Sequence, residues 1–257
     1  MYFRILFIAL GLCCLFQCSD RKTADYVLDP AQQYAYFPLK IGKYVDYTVD
    51  SIVYDFSSSS GIRRDSARTW VREMVTDTLR DNTGALVYVV DRSEKSRLDD
   101  PWAFKQRNTA SINKSQAVRT EDNLRFLKLV FPLDRRTRWD GNYWIDPTRE
   151  IDIAGERIRP FSNWNYTVDS MDVAKNIGSF AFDSVLVVTE ANASTIYERR
   201  LSRAHYAKHV GLVQREQWIL DSQYCNQSPA PTDCSTKPWQ DKAERGYILK
   251  QTLVGFN

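Results

Sequence analysis

Few residues in this chain have types that could do chemistry, and their spacing decides what that chemistry could be. The histidines are His205 and His209. On a helix this His-x-x-x-His spacing puts both imidazoles on one face, where they can chelate zinc. On a strand they stand about 13 Å apart, too far for one ion. Tyr206 follows His205, where a zinc protease carries its glutamate base. Surface or turn positions are expected for both histidines, and no metal ligand set. Glu150 with Asp152, and Asp46 with Asp50, each share a face of extended chain and have the residue types of a glycosidase pair. With 32 acidic residues, such pairs arise by chance. No Gly-x-Ser-x-Gly elbow, phosphate-binding loop or dinucleotide fingerprint occurs, and no serine is marked out as a nucleophile. Catalytic residues, metal and cofactor are therefore expected to be none, and ligand-binding residues stay unassigned.

Cys225 and Cys234 bracket a polar loop holding Asn226, Pro229 and Pro231. In an oxidising compartment they are expected to pair as a disulfide. Closing so short a loop contributes roughly 2.5–3 kcal/mol at most by chain entropy. The N-terminus argues for such a compartment. Arg4 precedes an apolar run over residues 5–16. That run is shorter than the about 20 residues a bilayer span needs, and it has the length of a secretory signal. Leu15-Phe16-Gln17-Cys18-Ser19-Asp20 resembles the end of a bacterial lipoprotein signal, in which cysteine becomes the lipidated first residue of the mature chain. Cys18 sits where apolar sequence turns polar, whereas more apolar sequence follows Cys13 and Cys14. The resemblance implies a signal peptide over residues 1–17, lipid attachment at Cys18, and a flexible tether over 18–33. An ordinary cleaved signal, with the protein released, is the alternative. Ser19-Asp20 is similar to the start of a surface-directing signal, but Arg21 and Lys22 depart from it. The expected location is the outer membrane, lipid-anchored, with the periplasmic and surface faces both open.

The remainder, 34–257, reads as one β-rich domain. Lys and Arg number 35 against 32 acids, and the basic residues lie scattered among acids. That gives no footprint for nucleic acid. Aromatic residues make up 13%, led by 14 tyrosines, which favours strands. Residues 37–56 organise the pattern. Val45, Tyr47, Val49 and Val53 share one face and Asp46, Thr48 and Asp50 the other. Ile52, Tyr54 and Phe56 make the far end apolar on both sides. Residues 70–79 and 85–91 read as a hairpin around a turn at 81–84, and 117–120 with 124–131 as another. Strands are expected at 180–189, 212–221 and 246–256, and short ones at 142–145 and 151–153. Residues 106–115 read as a loop or ragged helix. Residues 170–176 read as one or two helical turns, capped by Ser170 or Asp169 and stopped by Gly178. Over 195–210 a helix face (Tyr197, Leu201, Ala204, Lys208) competes with strand, turn, strand; the latter is preferred. Arg135, Arg136 and Arg138 read as an exposed turn. The tryptophans read as core, except Trp239 in the polar loop. The expected fold is mainly β: one large curved antiparallel sheet or open β-barrel of about ten to twelve strands, with at most one or two short helices.

Phe37-Pro38-Leu39 with Gly42 and Tyr47-Thr48-Val49-Asp50-Ser51 are echoed by Phe131-Pro132-Leu133 with Trp139-Asp140-Gly141-Asn142. With Tyr206-Ala207 and Val210-Gly211-Leu212-Val213, these stretches resemble uncharacterised envelope lipoproteins of the Bacteroidota type. The resemblance implies an envelope location and no enzyme activity, and it supplies no ligand. Three readings follow: a non-catalytic binding or scaffold module, a half-barrel carrier of apolar acyl cargo, and a glycan hydrolase. The membrane is the expected partner; a glycan, lipid or protein partner is left open.

Overall fold

The structure is a computed structural model that describes residues 30–57 and 61–257. Cys18 and the signal, and most of the tether, lie outside the described residues. The chain forms a short helix α1 (Pro30–Tyr34) and then six consecutive strands: β1 (Tyr44–Ser57), β2 (Gly61–Arg80), β3 (Leu86–Lys95), β4 (Ala103–Ile112), β5 (Gln116–Glu121) and β6 (Leu124–Val130). After β7 (Arg138–Trp139) comes a separate small hairpin, β8 (Ile151–Ile153) and β9 (Glu156–Ile158). The second run is β10 (Trp164–Ile177), β11 (Phe180–Ser194), β12 (Glu198–Ala207) and β13 (Gly211–Asp221). A 3-10 turn (Tyr224–Asn226) and α2 (Trp239–Lys242) precede β14 (Arg245–Phe256).

Twelve strands make one antiparallel sheet in the order β6-β5-β4-β3-β2-β1-β14-β13-β12-β11-β10-β7. The mainly β fold, nearly closed into a barrel with two short helices, agrees with the sequence pattern. Each run is a meander of neighbours, and β1 and β14 join them at the centre of the sheet. Two edges remain, β6 and β7. They meet where Leu127 N–H donates to Gly141 O (2.8 Å) and the Trp139 indole donates to Leu127 O (2.9 Å). Gly141 is required at this seam, because a Cβ there would stand 2.2 Å from the Tyr166 ring.

Both ends of the barrel are filled. At one end α1 and the segment after it enter the core, with Tyr36 and Phe37 buried among Val75, Val90, Leu129, Leu186 and Tyr206. Gln33 is also buried. Its side-chain amide donates to Leu133 O (2.9 Å) and its carbonyl accepts from Leu133 N–H (2.6 Å). The folded body thus takes in the last residues of the stretch that reads as tether. At the other end Arg200, 2% exposed, donates to Arg159 O and Leu220 O and pairs with Asp221 at 2.7 Å. Outside the sheet, Tyr54, Leu220 and Ala243 pack with Trp218 and Trp239 beneath the segment that carries α2. Tyr54 accounts for the apolar second face of β1.

Several local expectations are corrected. Residues 170–176 are strand, the latter half of β10, not helical turns. The pairing of β10 with β11 is broken by repeated bulges, and Asp172 takes a left-handed φ of 55°. Short polar residues serve such bulges as readily as a helix cap. Residues 103–112 are strand β4, not loop or helix. Residues 142–145 are turn rather than strand, which lets Gly141 reach across to β6. Trp239 is half-buried, its indole donating to Ser194 Oγ, and Trp144 is an exposed tryptophan. Over 195–210 the chain is strand and turn, as preferred.

Candidate functional site

The layer that sets this barrel apart is charged and lies inside it. Strand β2 alternates Val71, Glu73, Val75 on its inward face, so Glu73 enters the core with its apolar neighbours. In the same way β5 turns Arg119 and Glu121 inward, β6 Lys128, β11 Glu190 and β13 Arg215. The side chains of Glu73, Lys128 and Glu190 are 7%, 4% and 1% exposed. Arg119 pairs with Glu73 and with Glu121, both at 2.7 Å. Arg215 reaches Glu190 at 3.6 Å and Glu121 at 3.8 Å, and Lys128 reaches Glu190 at 3.8 Å. Ser202 Oγ donates to Glu190 (2.6 Å), and Gln217 donates to Ser202 (3.2 Å). Three carboxylates thus face three cations in a chain that crosses the barrel.

Burial alone would suppress these charges; their mutual contacts hold them. Burial pushes Glu121 up, but Lys128, Arg119 and Arg215 outweigh it and hold the carboxyl at about 2. Against the same desolvation, Glu73 and Glu121 hold Arg119 above its ordinary range, and Glu190 and Glu121 do so for Arg215. Lys128 goes the other way: burial, then Arg215, push its ammonium down. The hydroxyls of Tyr47, Tyr166 and Tyr206 around the layer are pushed up by burial and stay protonated.

Above this layer is a void of about 70 Å³. Its floor is Glu73, Arg119, Glu121, Lys128 and Arg215. Its mouth is apolar, formed by Phe37, Pro38 and Leu39 from the plug, Val45 from β1, and Val210 and Leu212 beside β13. Lys43 stands at the rim, donating to the backbone oxygens of His209 (2.8 Å) and Asn257 (3.0 Å). Arg215 Nε, Arg119 Nε and Nη2, and Glu190 Oε1 have no hydrogen-bond partner. A buried polar atom left unpaired is costly, so it marks a place for another polar group.

The residues singled out by type in the sequence do not converge here. His205 lies on the outer face, in a groove of about 330 Å³ with Asp169, Lys175, Arg203 and Glu216. Burial, then Lys175 and Arg203, push its imidazole down to about 4, so it is neutral at ordinary pH. His209 sits in the turn between β12 and β13 with φ 65°. Among the described residues no group of three His, Cys, Asp or Glu could hold a metal ion. Asp46 is tied bidentately to Arg72 and Asp50 to Arg68. Glu150 pairs with Arg159, and Asp152 caps the Gly155 turn. None of these carboxylates is free to work with a partner. Arg135, Arg136 and Arg138 are exposed. Cys225 and Cys234 are joined in a disulfide with 5.3 Å between Cα atoms.

No protein-family model matches the chain, and no curated protein matches it. Two solved structures are similar at a distance. One is described as a candidate exported protein with a YmcC-like fold from Bacteroides fragilis NCTC 9343. It shares 10% identity, covers 86% of this chain and 98% of its own, and has a TM-score of 0.33. The other is a candidate lipoprotein from Parabacteroides distasonis ATCC 8503, with 10% identity, the same coverage and a TM-score of 0.31. Likeness this weak decides nothing about this chain's ligand or activity. Among the described residues no helix is long and apolar enough to cross a membrane.

Proposed function

We propose that the protein is a non-catalytic binding module of a bacterial envelope, held at the outer membrane through a lipid on Cys18. The observation that supports the binding role is the void above the charged layer, in a barrel plugged at both ends. An enzyme is disfavoured by the state of the acids. A glycosidase needs one carboxyl kept protonated near neutral pH, whereas Glu121 is held ionised to about 2 and Glu73 is committed to Arg119. A carrier of apolar cargo is disfavoured by the charged floor and by a volume of about 70 Å³; sites for drug-sized ligands run to several hundred cubic ångströms. The anchor rests on the Arg4, apolar run and Cys18 pattern. From Cys18 to Pro30 an extended chain spans at most about 40 Å, so the barrel would sit close to the bilayer.

The test has two parts. Cys18→Ser should move the protein from the membrane to the soluble fraction; equal membrane retention would remove the anchor from the proposal. Native mass spectrometry of protein taken from its own membrane should then show a retained ligand or partner. Recovery of bare protein alone would count against the binding role.

A further inference from the structure

We propose that the void inside the barrel binds one small anionic group, a carboxylate or phosphate, between the Arg215 guanidinium and the Lys128 ammonium. The inference deepens the binding-module reading and rests on it. Four cations line the void, Lys43, Arg119, Lys128 and Arg215, against two carboxylates, Glu73 and Glu121. Arg119 lies 2.7 Å from both, although its Nε and Nη2 make no well-aligned hydrogen bond there. Arg215 and Lys128 have no ion pair so close. All their ion pairs lie between 3.6 and 3.8 Å, beyond hydrogen-bond range. Glu190 does not line the void; with it, the three buried carboxylates match Arg119, Lys128 and Arg215, and the positive excess is Lys43 at the rim.

Arg215 carries the second observation. Its side chain is 10% exposed and lines the void, and although the Tyr206 hydroxyl bonds to the guanidinium, the Nε donor has no hydrogen-bond partner. A guanidinium presents its donors as a planar fork that matches a carboxylate or phosphate. An anion here would give the free Nε a partner and supply a counter-charge to Lys128, whose ammonium is held in a nearly dry site. The size agrees: about 70 Å³ is on the order of two or three waters. That is room for a head group and not for a chain. Any hydrocarbon attached to it would lie in the mouth, against Phe37, Leu39, Val210 and Leu212. The shared chemistry is therefore the anion, and its source is either a free small anion or the head of an amphiphile.

Isothermal titration of the full chain in neutral detergent separates these cases. The probes are acetate, inorganic phosphate and octanoate, with acetamide and octanamide as uncharged controls. The expected result is saturable binding of one anion per chain and none of the amides. Affinity should fall at least tenfold in Arg215→Lys, which keeps the charge and loses the fork, and in Lys128→Gln. Lys43→Gln should weaken binding several-fold. Lys43 stands at the rim, outside the buried network of Glu73, Glu121 and Glu190, so this variant keeps the test open where a buried variant fails to fold. Binding of octanoate alone identifies an amphiphile as the source; binding of acetate or phosphate as tightly as octanoate identifies a free anion. The inference is overturned by saturable binding of none of the three anions, by amides that bind as tightly, or by folded variants that all bind like the parent. A neutral ligand recovered from the native membrane would also refute it while leaving the binding-module reading intact.

Discussion

Replacing Glu121 by Gln is the sharpest test of the interior layer. In an open chain this carboxyl titrates near 4.5, and the barrel holds it at about 2. Ionised Glu121 therefore favours the folded state by about 3 kcal/mol at neutral pH. The sign follows from which state takes up protons first. Between pH 4.5 and 2 the unfolded chain is protonated while the folded one is not, so the contribution is whole above 4.5 and drains away as pH falls. At pH 3.5 about 1.4 kcal/mol of it is gone. Gln keeps the shape and cannot ionise, so the gap between parent and Glu121→Gln should be about 3 kcal/mol at pH 7 and roughly half that at pH 3.5. Other depressed acids, such as Asp91 beside Arg107, titrate in both proteins and cancel in the difference. Urea unfolding followed by tryptophan fluorescence at several pH values measures the gap. A gap below about 1 kcal/mol at pH 7, or one that does not narrow on acidification, would refute the account of the layer, because an ionised carboxylate held by three cations must show both.

Three further outcomes are expected. Cys225→Ser should lower stability by no more than about 2.6 kcal/mol, the chain-entropy value for so short a loop, read from the urea midpoint under oxidising conditions. Gly141→Ala should cost about 2–3 kcal/mol, since the new Cβ meets a Tyr166 ring that is fully buried. Gly155→Ala, where the space is open but φ is +83°, should cost only the backbone term, about 1–2 kcal/mol, and thermal midpoints compare the two. The His205 imidazole should show no titration by NMR between pH 7.5 and 5.5, with a midpoint near 4; a midpoint above 6 would mean that its outer groove is wet.

The barrel was legible where one strand face is apolar and the other polar. Residues 45–50 alternate cleanly, and β1 has Tyr47 and Val49 buried with Asp46 and Asp50 turned to arginines on β2. The same rule failed where the inside of the barrel is itself polar. Strand β4 buries Asn108 beside Ala110, and Gln106 donates to Asn108; with a polar inner face the period of two loses its contrast, and the stretch reads as loop or ragged helix. The interior site was missed for a related reason. Attention to cysteines, histidines and paired acids finds chemistry by type, whereas this layer is marked by position. The visible signal was a charge on the apolar face of a strand: Glu73 between Val71 and Val75, Glu190 in step with Leu186 and Val188, Arg215 in step with Val213. The closing of the sheet by Gly141 and Trp139 left no such mark, because it depends on a turn meeting an edge many residues away.

The pairing of β1 with β14 sets the timetable of assembly. Among the described strands, the one that follows all the others in the chain, β14, lies between the two runs. Until residues 245–256 reach the compartment where the chain folds, each run can zip only with itself, and β1 and β13 each present an unsatisfied backbone edge. Such edges are templates for the wrong neighbour. A chain cut short before residue 245 should thus yield two sticky ribbons rather than a smaller barrel, and an agent that masks exposed strand edges during folding should raise the yield of the intact protein.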